Sequence, residues 1–473
     1  MTSLLGVAAF SFWMWLYPQA MNYQEQNQLF LFTWDYLGER LSLPGGFADW
    51  LSEFLVQFFY YPAAGALIMA VLAVLLQLAV WNASGKKGLY GLSFIPSLLL
   101  LVYMGDFEVL LSFPVALILC TFLCPLYAKA GWHRLWLIPL TWWLAGPLAI
   151  VPVLYSVIIS RRPADLLILL YTLFVFYAGH RLFTAQYPLK EALFGLNYYR
   201  LRNSLPVLQI VIPAVTLLCV FACSLPVKLR LPVLAEAAIA VLLVLGTVWG
   251  VRRSFDKDAC EILAYDSLIR QERYQEVIDR AEKYQPHDRI SACSVNLCLF
   301  MEGRLLSDMD RFYQCGTEGL VLPSVRDNVS DISSAELLWM MGMPNITLQY
   351  CFDLQESIQN GRKSGRFMSR IAECNIVNGW YDRAEKYLDI LEHSLFYRRW
   401  ARSRKEMIQD EKKVAADPIY SYIRRVRFKD DFITMYNGLD GMMAILYTQE
   451  RNNFMAGEYY TAWQRLKGKE DVQ

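Results

Sequence analysis

The chain has 473 residues, 55% of them hydrophobic and 14% aromatic, too apolar for an ordinary soluble protein of two or three domains. Its formal net charge of +1 gives no basic footprint for nucleic acid. His133, His180, His287 and His393 are scattered, and CxxC, HExxH, EF-hand, GxxxxGK[ST] and GxGxxG patterns are absent, so neither a metal, a cofactor nor a nucleotide-phosphate loop is expected. Charge divides the chain. Residues 1–251 hold 13 basic and 10 acidic side chains, whereas 252–473 hold 32 and 34. The expected fold is therefore all-α: a polytopic membrane helix bundle over 1–251, then a soluble helical domain over 252–473.

In chain order, the stretch from Ser3 to Leu16 has no Lys or Arg before it and no small-x-small cleavage site after it, and reads as a retained membrane helix. Behind Pro44-Gly45-Gly46, the residues Phe47, Trp50, Leu51, Phe54, Leu55, Phe58 and Phe59 recur at helical spacing. They predict an interfacial amphipathic helix near 47–60. Apolar runs follow at 62–81, 89–104, 107–127, 135–160, 163–180, 205–224 and 231–251, giving about seven to nine membrane helices at roughly 20 residues each. A second interfacial helix is expected over 188–202, with Leu189, Leu193, Leu196 and Tyr199 on one face.

Topology depends on 135–160, where Gly146-Pro147 sits at the centre. The run is either one kinked span or a re-entrant hairpin of two short arms. Lys86, Lys87, Lys129 and Arg134 place two early loops in the cytoplasm and the 19–60 segment outside. A hairpin spares Arg161-Arg162 from crossing and puts the C-terminal domain in the periplasm, whereas a single span gives the stronger charge bias. The hairpin is the preferred reading.

The second half shows helical periodicity with a recurring pattern. Its clearest copy is Asn378-Gly379-Trp380-Tyr381-Asp382-Arg383-Ala384, with Tyr387 and Leu388 following. A glycine turn, then an aromatic residue and a small one, resembles the second half of a tetratricopeptide repeat. Glu272-Arg273-Tyr274 with Ala281, Gly303-Arg304-Leu305 with Asp308, and Gly342-Met343-Pro344 with Thr347 align with it. Such units bury their apolar faces by stacking, so a short solenoid is expected. Projection from the turn positions places Asp266, Arg270, Leu297, Phe300, Met301, Glu336, Trp339, Met340, Glu373 and Ile376 on the concave side. That surface suits either an extended peptide or partner helix, or an intramolecular cover.

A wider resemblance rests on Tyr23-Gln24-Glu25, Pro44-Gly45-Gly46 with Phe54-Leu55-Val56-Gln57-Phe58-Phe59, the repeat tail, and Ser394-Leu395-Phe396-Tyr397-Arg398-Arg399-Trp400-Ala401. Together they look like a family of uncharacterised multi-pass proteins of the Bacteroidota. The resemblance implies a Gram-negative inner membrane and no particular activity. It also implies that relatives continue past Ala456 to Leu466, so that this chain is a shortened version.

Glu25 and Asp35, early acids in the external segment, are the candidate catalytic carboxylates. That layout is similar to polytopic glycosyltransferases that use polyprenyl-phosphate sugars, where a carboxylate prepares the acceptor. Among membrane-embedded ionisable groups, Asp165 is expected to pair with Arg161, four residues away, while Glu236 and His180 read as structural. Cys120 with Cys124, and Cys219 with Cys223, each share a helix face as small packing residues. The basic run from Arg398 to Lys405 reads as a solvated helix face. The expected function is a membrane-anchored interaction scaffold whose repeat tail binds a protein partner. The alternative is a lipid-linked-sugar transferase or envelope-polymer enzyme, and a transporter is a weaker third.

Overall fold

The computed structural model describes residues 1–85, 89–160, 162, 165–201, 204–225, 233–254, 256–322, 330–358, 361–428 and 438–470. Among the described residues the regular elements are helical, and extended pairing is limited to isolated bridges of Val109 with Tyr199 and Cys315 with Thr317. The chain divides into two units. One comprises Met1–Glu25 and Phe32–Asp256, the other Gln26–Leu31 and Lys257–Gln473.

The first unit contains α1 (Thr2–Ser11), α2 (Pro18–Gln26), α3 (Trp34–Leu41), α4 (Gly46–Val56), α5 (Pro62–Ala83), α6 (Ile95–Tyr103), α7 (Ser112–Lys129), α8 (Arg134–Ala145), α9 (Ile150–Ser160), α10 (Leu166–Phe183), α11 (Leu189–Phe194), α12 (Val207–Ser224) and α13 (Val233–Ser254). Among the described residues, five segments are long and apolar enough to cross a membrane: Pro62–Ala83, Ser112–Lys129, Gly131–Ser160, Leu166–Phe183 and Val207–Ser224. The protein is accordingly membrane-associated, in keeping with its composition.

Side-chain contacts fix which helix ends meet. At the first end, the Thr2 hydroxyl donates to Gln77, the Tyr155 hydroxyl to the Ala83 carbonyl, and the Cys223 thiol to the Leu89 carbonyl. At the second end, Tyr17 donates to the Gly105 carbonyl, Ser52 meets Ser112, and Tyr103 donates to Gln209. Gly250 of α13 comes against Val102, so α13 finishes at this second end.

The run 135–160 is a hairpin. Gly146 (φ 68) turns the chain, and Tyr198 Oη and the Gly45 backbone lie so close that a side chain there would meet both. The returning arm brings Ser156 within 3.4 Å of Arg134 at the start of α8. Ile138 and Val153, one from each arm, pack on the same Tyr127. By length alone Gly131–Ser160 suffices for one span. Its arms instead rise about 18 and 16 Å, short of the ~30 Å hydrocarbon core.

Two expected elements differ in detail. In α4 the buried positions are Ala48, Asp49, Ser52, Glu53 and Val56. Phe47, Trp50, Phe54 and Phe58 form a ring-on-ring row on the other side, with centroids 6.3, 6.3 and 5.6 Å apart. Polar groups turn inward because that is where partners lie, and the aromatic row faces outward. The second interfacial helix is shorter than 188–202. It stops at Phe194 because Gly195 (φ 104) folds Tyr198 back so closely that a Cβ would lie 2.2 Å from its ring.

The second unit contains α14 (Lys257–Arg270), α15 (Tyr274–Lys283), α16 (Arg289–Met301), α17 (Leu305–Asp308), α18 (Ser330–Met340), α19 (Pro344–Ser357), α20 (Gly365–Val377), α21 (Tyr381–Glu392), α22 (Arg398–Ile408), α23 (Glu411–Ala416), α24 (Pro418–Val426), α25 (Gly438–Gln449) and α26 (Phe454–Glu470). The first eight form four helix–turn–helix pairs. All four turns carry a left-handed residue: Glu272 (φ 58), Gly303 (φ 67), Gly342 (φ 89) and Gly379 (φ 76). At each turn the next amide donates to the carbonyl five residues back: Arg273 to Leu268, Arg304 to Leu299, Met343 to Leu338 and Trp380 to Asn375. This closure ends a helix and re-aims the chain at once.

Ala281, Thr347 and Ala384 are fully buried where α15, α19 and α21 approach their partners. Asp308 departs from that pattern because α17 ends there after one turn. The space beside α17 is taken by α26. Arg465 donates to the Leu306 carbonyl at 2.9 Å and pairs with Asp310, and Tyr459 packs edge-on to Phe300 with centroids 5.9 Å apart.

Candidate peptide-binding groove

Helix α20 supplies the central side chains of the groove. Its periodicity puts Arg366, Arg370 and Glu373 on one face, Arg366 and Arg370 one turn apart. Arg366 Nη1 lies 2.9 Å from both carboxylate oxygens of Asp266 on α14, and its Nη2 lies 3.2 Å from Glu336 Oε1 on α18. Arg370 bonds Glu336 Oε2 at 2.5 Å and Glu373 Oε2 at 2.6 Å, with its guanidinium 4.7 Å from the Trp339 ring centre. The Tyr420 hydroxyl on α24 donates to Glu373 at 3.3 Å. A buried ladder of alternating charge thus links α14, α18, α20 and α24. Taking such charges out of water is costly, so each needs its partners in place.

The ladder pushes its two central carboxyls in opposite directions. Burial alone would raise Glu336, but Arg370 and Arg366 hold it down to about 2. Burial raises Glu373 above the ordinary value; Arg370 opposes that rise, and the neighbouring Glu336 charge adds to it.

Residues Gln26–Leu31 belong to this unit, Gln26 as the last residue of α2, Asn27 in a turn and 28–31 without regular structure. Gln26 Oε1 accepts from Arg366 Nη1 at 2.9 Å, completing that guanidinium's contacts. The Leu29 amide donates to the Lys363 carbonyl at 2.8 Å, just before α20. The Leu29 side chain, 6% exposed, joins the apolar cluster of Trp339, Met368, Ala372 and Ile376, and Leu31 packs against the same cluster. A main-chain bond, a polar anchor and an apolar pocket three residues further on are the elements by which an extended peptide is read.

Of the projected concave residues, Asp266, Glu336, Trp339 and Glu373 meet around this segment, and Met340 packs against the cluster beside it. Leu297 and Ile376 lie in the helix-packing interior. Phe300 and Met301 instead pack, partly buried, against the core cluster holding α26, which covers the face that the short α17 leaves open. Arg270 is peripheral, with Nη2 3.5 Å from the Tyr397 hydroxyl. Projection missed Arg366 and Arg370, although they stand seven and three residues before Glu373 on the same helix face.

The two candidate catalytic acids occupy different settings. Glu25 is buried near the end of α2, and Asp35 is exposed in the first turn of α3. Other carboxylates of this unit are held by partners: Glu53 by Arg40 and Tyr36, Asp49 by Asn197, and Glu108 by Arg200. Asp165 pairs with Arg134 at 3.3 Å; its expected partner Arg161 lies outside the described residues, as does the Glu236 side chain. His180 is buried with Nδ1 3.1 Å from the Thr184 hydroxyl. The basic run is paired within the tail, Arg402 and Lys405 with Glu392 and Arg404 with Asp417. All ten cysteines are free thiols.

Comparison with curated proteins and with solved structures gave no match to either. A family model described as "Family of unknown function (DUF6057)" matches residues 1–469, and the chain therefore belongs to that family.

Proposed function

We propose that the protein is a membrane-anchored interaction scaffold of the cell envelope whose tail, tetratricopeptide-like in register, binds an extended peptide. The observation that carries this reading is the hexapeptide Gln26–Leu31, seated in the tail through Gln26–Arg366 and Leu29–Lys363 contacts. The resident segment acts as the chain's own ligand, so recruitment of a protein partner proceeds by displacing it. The hairpin at Gly146, with α13 finishing at the end opposite Thr2, supports an odd number of crossings. With the lysine-bearing early loops in the cytoplasm, the tail then stands in the periplasm of an inner membrane.

The lipid-linked-sugar enzyme needs carboxylates converging on a lipid-accessible cavity. Glu25 and Asp35 line neither the apolar cavity between α9 and α12 nor the polar cavity beside α11, which favours the scaffold reading. Its test uses the full chain with the groove vacated by Leu29→Asp. A labelled peptide of sequence Gln-Asn-Gln-Leu-Phe-Leu should bind the variant and not the unmodified chain, read by fluorescence anisotropy. A vacated, folded chain that ignores the peptide sinks the reading. Reporters fused after Lys257 test the side of the membrane; cytoplasmic activity there would overturn the periplasmic assignment.

A further inference from the structure

The first unit carries a cavity that the groove does not involve. It lies between α9, α11 and α12, has a volume of about 510 Å³, and is walled by apolar side chains including Leu148, Leu154, Pro213 and Leu217. This is within the usual range of small-molecule sites, roughly 300–1,000 Å³. Phe221, which lines it at the end away from Gln209, stacks on Tyr155 with ring centroids 5.7 Å apart. Ile158, Ile210 and Leu218 stand 48%, 48% and 66% exposed along its rim, so the slot opens sideways on the outer face of the bundle, where a membrane protein meets lipid tails.

Its depth is informative. The lining of α12 runs from Gln209 to Phe221, a rise of about 18 Å, about three fifths of the ~30 Å hydrocarbon core. The slot therefore runs along most of α12, from its second-end level toward the first, with the length of an extended acyl chain. At its mouth it shares Phe194 and Gln209 with a second, polar cavity of about 180 Å³ whose wall includes Lys190, Glu191, Tyr199 and Ser204. Gln209 and Tyr199 are committed within the protein, to Phe194 and Tyr103 and to Asp106 respectively. Lys190 and Glu191 offer one positive and one negative charge at the level where the acyl slot ends.

The geometry points to a bound phospholipid with a zwitterionic amine headgroup. Its acyl chain fills the slot of α9 and α12, its phosphate faces Lys190, and its ammonium faces Glu191. A headgroup with a net negative charge satisfies Lys190 and is repelled by Glu191. A chain lying in a lateral slot replaces the packing that α9, one arm of a hairpin too short to span, does not supply. The ligand is a structural lipid drawn from the bilayer, and the site is independent of the tail.

The test is native mass spectrometry of the delipidated full-length protein given phosphatidylethanolamine, phosphatidylglycerol or a polyprenyl phosphate. The unmodified protein should retain phosphatidylethanolamine about tenfold more than phosphatidylglycerol, the scale of one charge-assisted contact. Ala214→Trp, which lays a ring across the exposed side of the slot, should abolish retention of either. Glu191→Lys, on a partly exposed position, should reverse the headgroup preference and keeps the proposal falsifiable should the tryptophan variant fail to fold. Equal retention of the two phospholipids, preference for the polyprenyl phosphate, or retention undiminished by a folded Ala214→Trp would each overturn the assignment.

Discussion

Helix α4 of the first unit and helix α24 of the second are both two-faced, and they turn opposite faces inward. In α4 the buried side includes Asp49, Ser52 and Glu53 while aromatic rings line the outside. In α24 Tyr420, Ile423 and Val426 are buried, and the amphipathic pattern leaves Arg425 outside. The same amphipathicity serves two solvents. In water the apolar face hides, whereas in lipid the polar face has partners only inside the bundle. Both units nevertheless bury arginine–carboxylate pairs, Arg40–Glu53 in one and Arg366–Glu336 in the other, because an ion removed from water needs its counter-ion wherever it is buried.

The largest expected effect is in the ladder. Arg370→Ala leaves Glu373 without its arginine and Glu336 with Arg366 alone, and should destabilise the tail by about 3–5 kcal/mol, read as lost hydrogen-exchange protection over α18 and α20. A cost under ~1 kcal/mol would show that the ladder is surface-like. The contrast between solvents is tested by a matched pair. Leu173 on α10 and Ile419 on α24 are 58% and 57% exposed. Leu173→Asp should cost about 3–4 kcal/mol in membrane insertion, against less than ~0.5 kcal/mol of tail stability for Ile419→Asp. Equal penalties would break the membrane assignment of α10.

Acidification should act on the tail ladder. The depressed Glu336 carboxyl contributes stability that is complete above its ordinary value of 4.5 and is lost as pH falls toward about 2, since the unfolded chain then binds the extra proton. The loss is on the order of 3 kcal/mol, and Glu336→Gln should flatten the profile over that window in denaturant titrations. The smallest effects concern single misfits. Tyr459 is fully buried with a hydroxyl that has no hydrogen-bond partner among the described residues, so Tyr459→Phe should stabilise by about 1 kcal/mol. Glu272 takes a left-handed conformation that the three equivalent turns give to glycine, and Glu272→Gly should gain about 0.5–1 kcal/mol in thermal unfolding.

The features legible in the sequence are those with local causes. Gly146-Pro147 at the centre of an apolar run marked the hairpin tip because a left-handed turn needs glycine. The four turns were found by alignment, even where Glu272 replaces the glycine, because the aromatic and small residues behind it keep their spacing. The groove was half legible. Asp266, Glu336, Trp339 and Glu373 lie around residues 26–31 as register places them, whereas Phe300 packs toward α26 because α17 has one turn where the pattern expects a full helix. The hexapeptide carried no signal at all. Six residues without period or motif acquire their role from α20, 340 positions away at the Gln26–Arg366 contact.

That covalent connection sets a threshold for any competitor. A tethered ligand acts at an effective concentration that reaches the millimolar range for short flexible connections, whereas a free partner is present at about micromolar levels. Offered at that level, a peptide making the same contacts would occupy about one groove in a thousand. To share the groove evenly, a partner would have to gain roughly 4 kcal/mol over the resident segment, through contacts beyond six residues or through a second hold on the same chain. Under the proposed function, selectivity would reside less in the pocket than in the local dose of the chain's own loop, and weak look-alike sequences would be refused without any feature built against them.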